Sequence, residues 1–118
     1  MFSIDTASGK YLGVSAAGRL TARDYRGFEP AFEEELARRG GRVALLLDVT
    51  GWRGWTPGGL VRDLRFDLRH RNSFSRIAVV GDRTWHNWLA TVAKPVFRGP
   101  MRYFKRGREA EAVEWLES

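Results

Sequence analysis

The chain reads as an α/β domain on a mixed sheet of five strands with about four helices, and three features predict it. Two stretches, residues 43–49 (VALLLDV) and 74–81 (FSRIAVVG), are apolar without alternation, which suits strands covered on both faces of a parallel sheet. Segments of helical periodicity separate them, and strands joined this way run parallel through right-handed crossovers. At the N-terminus, residues 2–6 and 11–19 flank a Ser8-Gly9-Lys10 turn and predict an antiparallel hairpin, so the sheet is mixed with the remainder mostly parallel.

After the hairpin, Thr21 starts a helix with Asp24 completing a capping-box pair. Its apolar face is Tyr25, Phe28, Phe32 and Leu36, while Glu33, Glu34, Glu35, Arg38 and Arg39 are expected in water. Pro30 predicts a kink or an extra first turn, and Gly40 and Gly41 a stop. Residues 49–57 follow the first buried strand as a loop carrying Trp52 and Trp55. A helix over 57–71 comes next, with Thr56 as cap and Pro57 in the first turn. Leu60, Val61, Leu64 and Leu68 share one face of it, expected to be the core side, leaving Phe66 exposed opposite among Arg62, Arg69 and His70.

Beyond the second buried strand, Asp82 or Thr84 caps a helix in which Trp85, Trp88, Leu89 and Val92 recur at helical spacing, ended by Lys94-Pro95. Residues 100–104 form a short edge strand, and residues 107–117 a helix burying Ala112, Val113 and Leu116.

All 118 residues fit one domain, with enough apolar content (43%) to bury a core unaided by disulfides or metal. Absence of cysteine excludes a disulfide framework and thiolate metal sites. There is no signal-peptide pattern and no apolar run of spanning length, so a cytoplasmic protein without a transmembrane segment is expected. The net charge of +6 favours acidic partners in a general way. The excess is almost all arginine, lysine being confined to Lys10, Lys94 and Lys105.

The stretches LTARDY, ALLLDVTGWRGWTPGGLVRDLRF, FSRIAVVGDRTWHNWLA and MRYF followed by EAVEWL resemble, in order and over nearly the whole chain, the SpoIIAA-like proteins, small bacterial domains related to the STAS fold. The resemblance implies a STAS-like mixed five-stranded sheet with four helices. STAS domains that antagonise anti-sigma factors carry a phosphorylatable serine in an Asp-Ser-Ser-Gly-Leu sequence at the start of the second helix. Thr56-Pro57-Gly58-Gly59-Leu60 stands there instead, and Gly58 has no hydroxyl to accept a phosphoryl group. Similarity to STAS and CRAL-TRIO lipid-carrier domains implies a binder of small nonpolar molecules.

Several candidate sites follow. Trp52 and Trp55 after one buried strand, and Trp85 and Trp88 after the next, would border an apolar cleft at the carboxyl ends of the central strands, with Thr56 and Leu60 beside them. Helical spacing favours core packing for Trp85 and Trp88; for Trp52 and Trp55, ligand contact and loop anchoring stand level. Arg53, Gly58 and Gly59 at a helix start would suit an anion or a lipid headgroup, against the plainer reading of a capped helix end. Phe66 would serve as an interface, either to a regulatory protein or between copies in a homodimer.

No catalytic residue, metal site or cofactor is predicted. His70 and His86 lack ligand spacing and read as surface residues; Asp48 and Asp82 could pair near the cleft but read as turn or cap residues. The RYFKRGR block over 102–108 mixes charge with aromatics, yet one of Tyr103 and Phe104 must point into the core, so no nucleic acid is expected, while peripheral membrane contact fits a lipid carrier. The expected function is a non-enzymatic domain binding a nonpolar small molecule. The alternative is an interaction module of the anti-sigma-factor-antagonist type without the phosphoserine.

Overall fold

The computed structural model describes residues 1–81 and 99–118. Its elements run β1 (Phe2–Asp5), β2 (Leu12–Leu20), α1 (Ala22–Arg38), β3 (Val43–Trp55), α2 (Pro57–Arg69), β4 (Phe74–Gly81), β5 (Met101–Lys105) and α3 (Glu109–Glu117). The sheet order is β1-β2-β3-β4-β5, with β1 antiparallel to β2 and every other pair parallel. The predicted hairpin, parallel remainder and edge strand are all present. Three helices lie among the described residues; the expected helix of Trp85, Trp88, Leu89 and Val92, with Asp82 and His86, falls outside them.

The unalternating strands have the two covered faces their composition demands. On one face Leu45, Ile77 and Val79 meet Tyr25, Phe28 and Phe32 of α1; on the other Ala44, Ala78 and Val80 meet Ala112 and Leu116 of α3. Small residues face α3 and large ones face α1 and α2, so the thicker core lies on the α1–α2 side.

α1 begins in a complete capping box, Thr21 Oγ1 accepting from Asp24 N at 3.1 Å while the Asp24 carboxylate accepts from Thr21 N at 2.8 Å. It runs unbroken through Pro30, which is exposed, as is Arg26 one turn earlier. The proline thus falls on the solvent side of the helix, where a missing backbone donor is tolerated best. Glu35, expected in solvent, is buried: it takes Arg38 at 2.8 Å and Arg39 at 2.9 Å, and Arg39 donates onward to the carbonyls of Tyr11 and Thr6. These contacts tie the end of α1 to the β1–β2 turn.

α2 presents the face opposite to the expected one. Val61, Leu64 and Leu68 are exposed (51%, 40% and 58%), whereas Gly59, Asp67 and His70 are buried and Asp63 and Phe66 half-buried. The cause lies at the helix start, where Thr56 N donates to Leu20 O at 2.9 Å and Gly59 packs directly on that carbonyl. With Gly59 pinned to the sheet, positions four, seven, eight and eleven residues on must also face inward: Asp63, Phe66, Asp67 and His70. Backbone contact, not side-chain hydrophobicity, sets the rotation of this helix.

Candidate functional site

Between α1 and α2 above and the sheet below lies a cavity of about 100 Å³ with an almost wholly apolar wall. Every strand contributes to its floor, including Phe2, Val14, Leu47, Val79 and Tyr103; Tyr25, Phe28 and Phe32 of α1 and Asp63, Phe66 and Asp67 of α2 close it from above. It sits beneath the helices, across one face of the sheet, rather than in a crevice beyond the strand ends.

The tryptophans reach it through two irregularities in β3. Residues 49–57 were expected as a loop, but the strand continues to Trp55. While β2 advances from Ser15 to Ala17, β3 advances from Asp48 to Gly51; while β2 advances from Gly18 to Leu20, β3 advances from Trp52 to Trp55. Each extra residue reverses the alternation of faces. Leu45, Leu47, Val49, Trp52 and Trp55 therefore all meet the cavity despite spacings of two, two, three and three. Gly54, at φ +102°, supplies the left-handed backbone at the second irregularity. Asp48 stabilises the first, its Oδ1 accepting from Thr50 N at 2.9 Å and Thr50 Oγ1 at 2.7 Å, which is the turn role read from sequence. The two indoles meet edge to face with centroids 4.6 Å apart, Trp52 buried and Trp55 half-buried.

One wall of the cavity is polar. Trp55 Nε1 donates to the Tyr25 hydroxyl at 2.9 Å, and Tyr25 donates to Asp63 Oδ1 at 2.7 Å. The Asp63 carboxyl is in turn hydrogen-bonded to that of Asp67, one helical turn on. Burial pushes Asp67 up to about 9, reinforced by the neighbouring Asp63 charge, so at neutral pH it is a neutral acid donating to Asp63. Burial raises Asp63 as well, opposed by the two donors it receives. Burial also raises the Tyr25 phenol far above its ordinary range, so it stays a donor. The result is a chain of donors ending on a carboxyl pair that shares a proton.

Phe66, expected to project into solvent, packs inward against Phe28 and Phe32, with centroids 5.6 and 5.1 Å away, and against His70 at 4.6 Å. It is a wall of the cavity and offers no free ring to a partner. His70 is likewise buried rather than on the surface, its Nε2 3.3 Å from Glu33 Oε1 and its Nδ1 3.3 Å from Ser73 Oγ. Burial lowers its proton affinity more than Glu33 raises it.

Of the residues proposed from sequence to touch a ligand, Trp52 and Trp55 line the cavity. Thr56 caps α2, its Oγ1 accepting from Gly59 N at 3.1 Å, so that donor is already engaged. Arg53 and Gly58 are exposed, Gly59 is buried against β2, and Leu60 is half-buried; none of these lines the cavity. Trp85 and Trp88 lie outside the described residues. Both aromatics of the basic block are used in packing, Tyr103 in the cavity floor and Phe104 against Trp115 of α3. Sequence reasoning missed the Asp63–Asp67 pair. Its only signal was two aspartates four apart on a helix that seemed to have a better apolar face elsewhere.

The family model described as SpoIIAA-like matches residues 11–117. The chain belongs to the SpoIIAA-like family. Among solved structures, this SpoIIAA-like chain is similar to an uncharacterised protein of the DUF3478 family with a SpoIIAA-like fold from Shewanella loihica PV-4. The two share 29% identity and a TM-score of 0.81, over 98% of this chain and 92% of the other. No protein of curated function gives a significant sequence match. Among the described residues, no helix is long and apolar enough to cross a membrane, and no group of three His, Cys, Asp or Glu is placed to hold a metal ion.

Proposed function

We propose that this SpoIIAA-like domain is a non-enzymatic binding module that takes up a small apolar molecule between α1, α2 and the sheet. The observation that carries this reading is the aromatic-walled cavity that the described residues enclose within the larger core cluster. Its free volume has room for roughly seven to ten water-sized atoms, the size of a short alkyl chain or a single ring. SpoIIAA-like and STAS-type domains are generally non-enzymatic, which agrees with a site built for occupancy rather than turnover.

The test is calorimetric titration with 1-octanol, with tryptophan emission followed in parallel because Trp52 and Trp55 both face the cavity. Saturable binding at one site per chain is expected, and Trp55→Ala should weaken it at least tenfold by removing both a wall and the donor to Tyr25. No saturable heat or emission change would refute the reading.

A regulatory role of the anti-sigma-factor-antagonist type is the second reading, and the outward apolar residues of α2 favour it. Under it, Leu64→Lys with Leu68→Lys should abolish binding to a purified anti-sigma factor measured by calorimetry, while octanol uptake is unchanged. Binding that survives both changes would remove this surface from consideration.

A further inference from the structure

Resting on the uptake of an apolar molecule argued above, we infer that the cavity selects apolar amines, holding the ammonium group against the carboxyls of Asp63 and Asp67 with the alkyl or aryl part among the rings. Three observations lead there. First, among the described residues no cation pairs with the two acids. The ion pairs of α1 and α2 among the described residues join the Met1 amino group to Asp24, Arg38 to Glu34 and Glu35, Arg39 to Glu35, Arg62 to Glu29, and Arg69 and His70 to Glu33, and none reaches Asp63 or Asp67. Second, Asp67 lines the cavity at only 7% exposure, and among the described residues no N–H or O–H group other than the proton it shares with Asp63 meets its oxygens. Third, Tyr25, Phe28, Trp55 and Phe66 line the same space, and aromatic rings stabilise a cation held over their faces.

The headgroup classes separate on this chemistry. A carboxylate would place a third acid beside two that already share a proton, so a fatty acid is rejected. A hydroxyl has one proton to donate and leaves the charge of Asp63 unanswered. An ammonium supplies three donors and a full positive charge to an acid pair shielded from water. When it binds, Asp67 gives up its proton to solvent and the ammonium N–H groups replace it, so one cation enters and one proton leaves. Amine affinity should therefore rise with pH between about 6 and 9, until the free amine itself deprotonates near the ordinary lysine value of about 10. Tyr25 from α1 contacts the pair directly and Tyr103 from β5 lines the same cavity, while the Glu29–Arg62 ion pair joins α1 to α2 and His70 follows Asp67 by three residues. Burial raises both phenols above their ordinary range and lowers the proton affinity of His70.

Octylamine, 1-octanol and octanoate, matched in chain length, form the test, by titration calorimetry at pH 7.5 in two buffers of different ionisation enthalpy. The expected ranking is amine over alcohol by at least tenfold, with octanoate weakest. Proton release should accompany the amine alone, and Asp67→Asn should remove that release and most of the preference for amine over alcohol. Octanol binding as tightly as octylamine, or a preference untouched in Asp67→Asn, would overturn the inference and leave the apolar cavity standing. Failure of all three to bind would instead overturn the cavity reading. The wild-type ranking decides the matter even if the variant folds poorly.

Discussion

Asp67→Asn is expected to stabilise the protein, and to do so more strongly as the pH rises. In the unfolded chain this carboxyl releases its proton near 3.8, while in the fold it keeps it up to about 9. Between those values the folded state binds more protons than the unfolded state, so stability falls with increasing pH through the window, is undiminished below it and flat above it. Asparagine copies the neutral, donating form of the side chain permanently and removes the penalty. The gain should be near zero at pH 4, on the order of 4 kcal/mol by pH 7 at about 1.4 kcal/mol per pH unit, and largest at pH 9. Urea unfolding at a series of pH values reads it directly, and a pH-independent difference would show that Asp67 is ionised in the fold. Such a gain is also the mark of a group retained at a cost to stability for what it binds.

Gly59→Ala is expected to have the largest destabilising effect of any single methyl addition in α2. A Cβ at this position would fall inside the Leu20 carbonyl oxygen and 2.9 Å from its carbon, both backbone atoms that no rotamer change can move. The helix would have to lift, breaking the 2.9 Å bond from Thr56 N to Leu20 O and turning Asp63, Phe66 and Asp67 away from the cavity. A loss of more than about 3 kcal/mol is expected, against the roughly 1 kcal/mol that alanine gains over glycine in a helix interior. The neighbouring Gly58→Ala is the control: its Cβ would meet only Ala22 Cβ at 3.5 Å, an ordinary contact, so it should be neutral or mildly stabilising. Equal thermal shifts for the two variants would contradict the role given to Gly59.

Much of the architecture was legible because it depends on properties that composition carries directly. The runs at 43–49 and 74–81 have no polar alternation because both faces are covered, and the Thr21–Asp24 box and the Thr56 cap are local chemistry. What escaped depends on contacts distant in sequence. The β3 tryptophans lost their period because two irregularities intervene, and these exist only in register with β2. α2 was read from the hydrophobicity of Leu60, Val61, Leu64 and Leu68, yet its rotation is set by one backbone contact between Gly59 and a carbonyl 39 positions earlier. Reading the helix from that glycine outward would have placed Asp63, Phe66, Asp67 and His70 inside, and with them the carboxyl pair. The Asp63–Asp67 pair breaks the rule that charged residues face water, and such breaks concentrate where a protein binds something.

A crystal of the protein pressurised with xenon puts the space beneath α1 and α2 to trial without reference to any biological ligand, since an apolar void of this size admits the gas. A single strong xenon peak bounded by Phe28, Leu47, Trp52 and Phe66 is the expected result. A cavity closed by repacked side chains, with no xenon among those four residues, would contradict it.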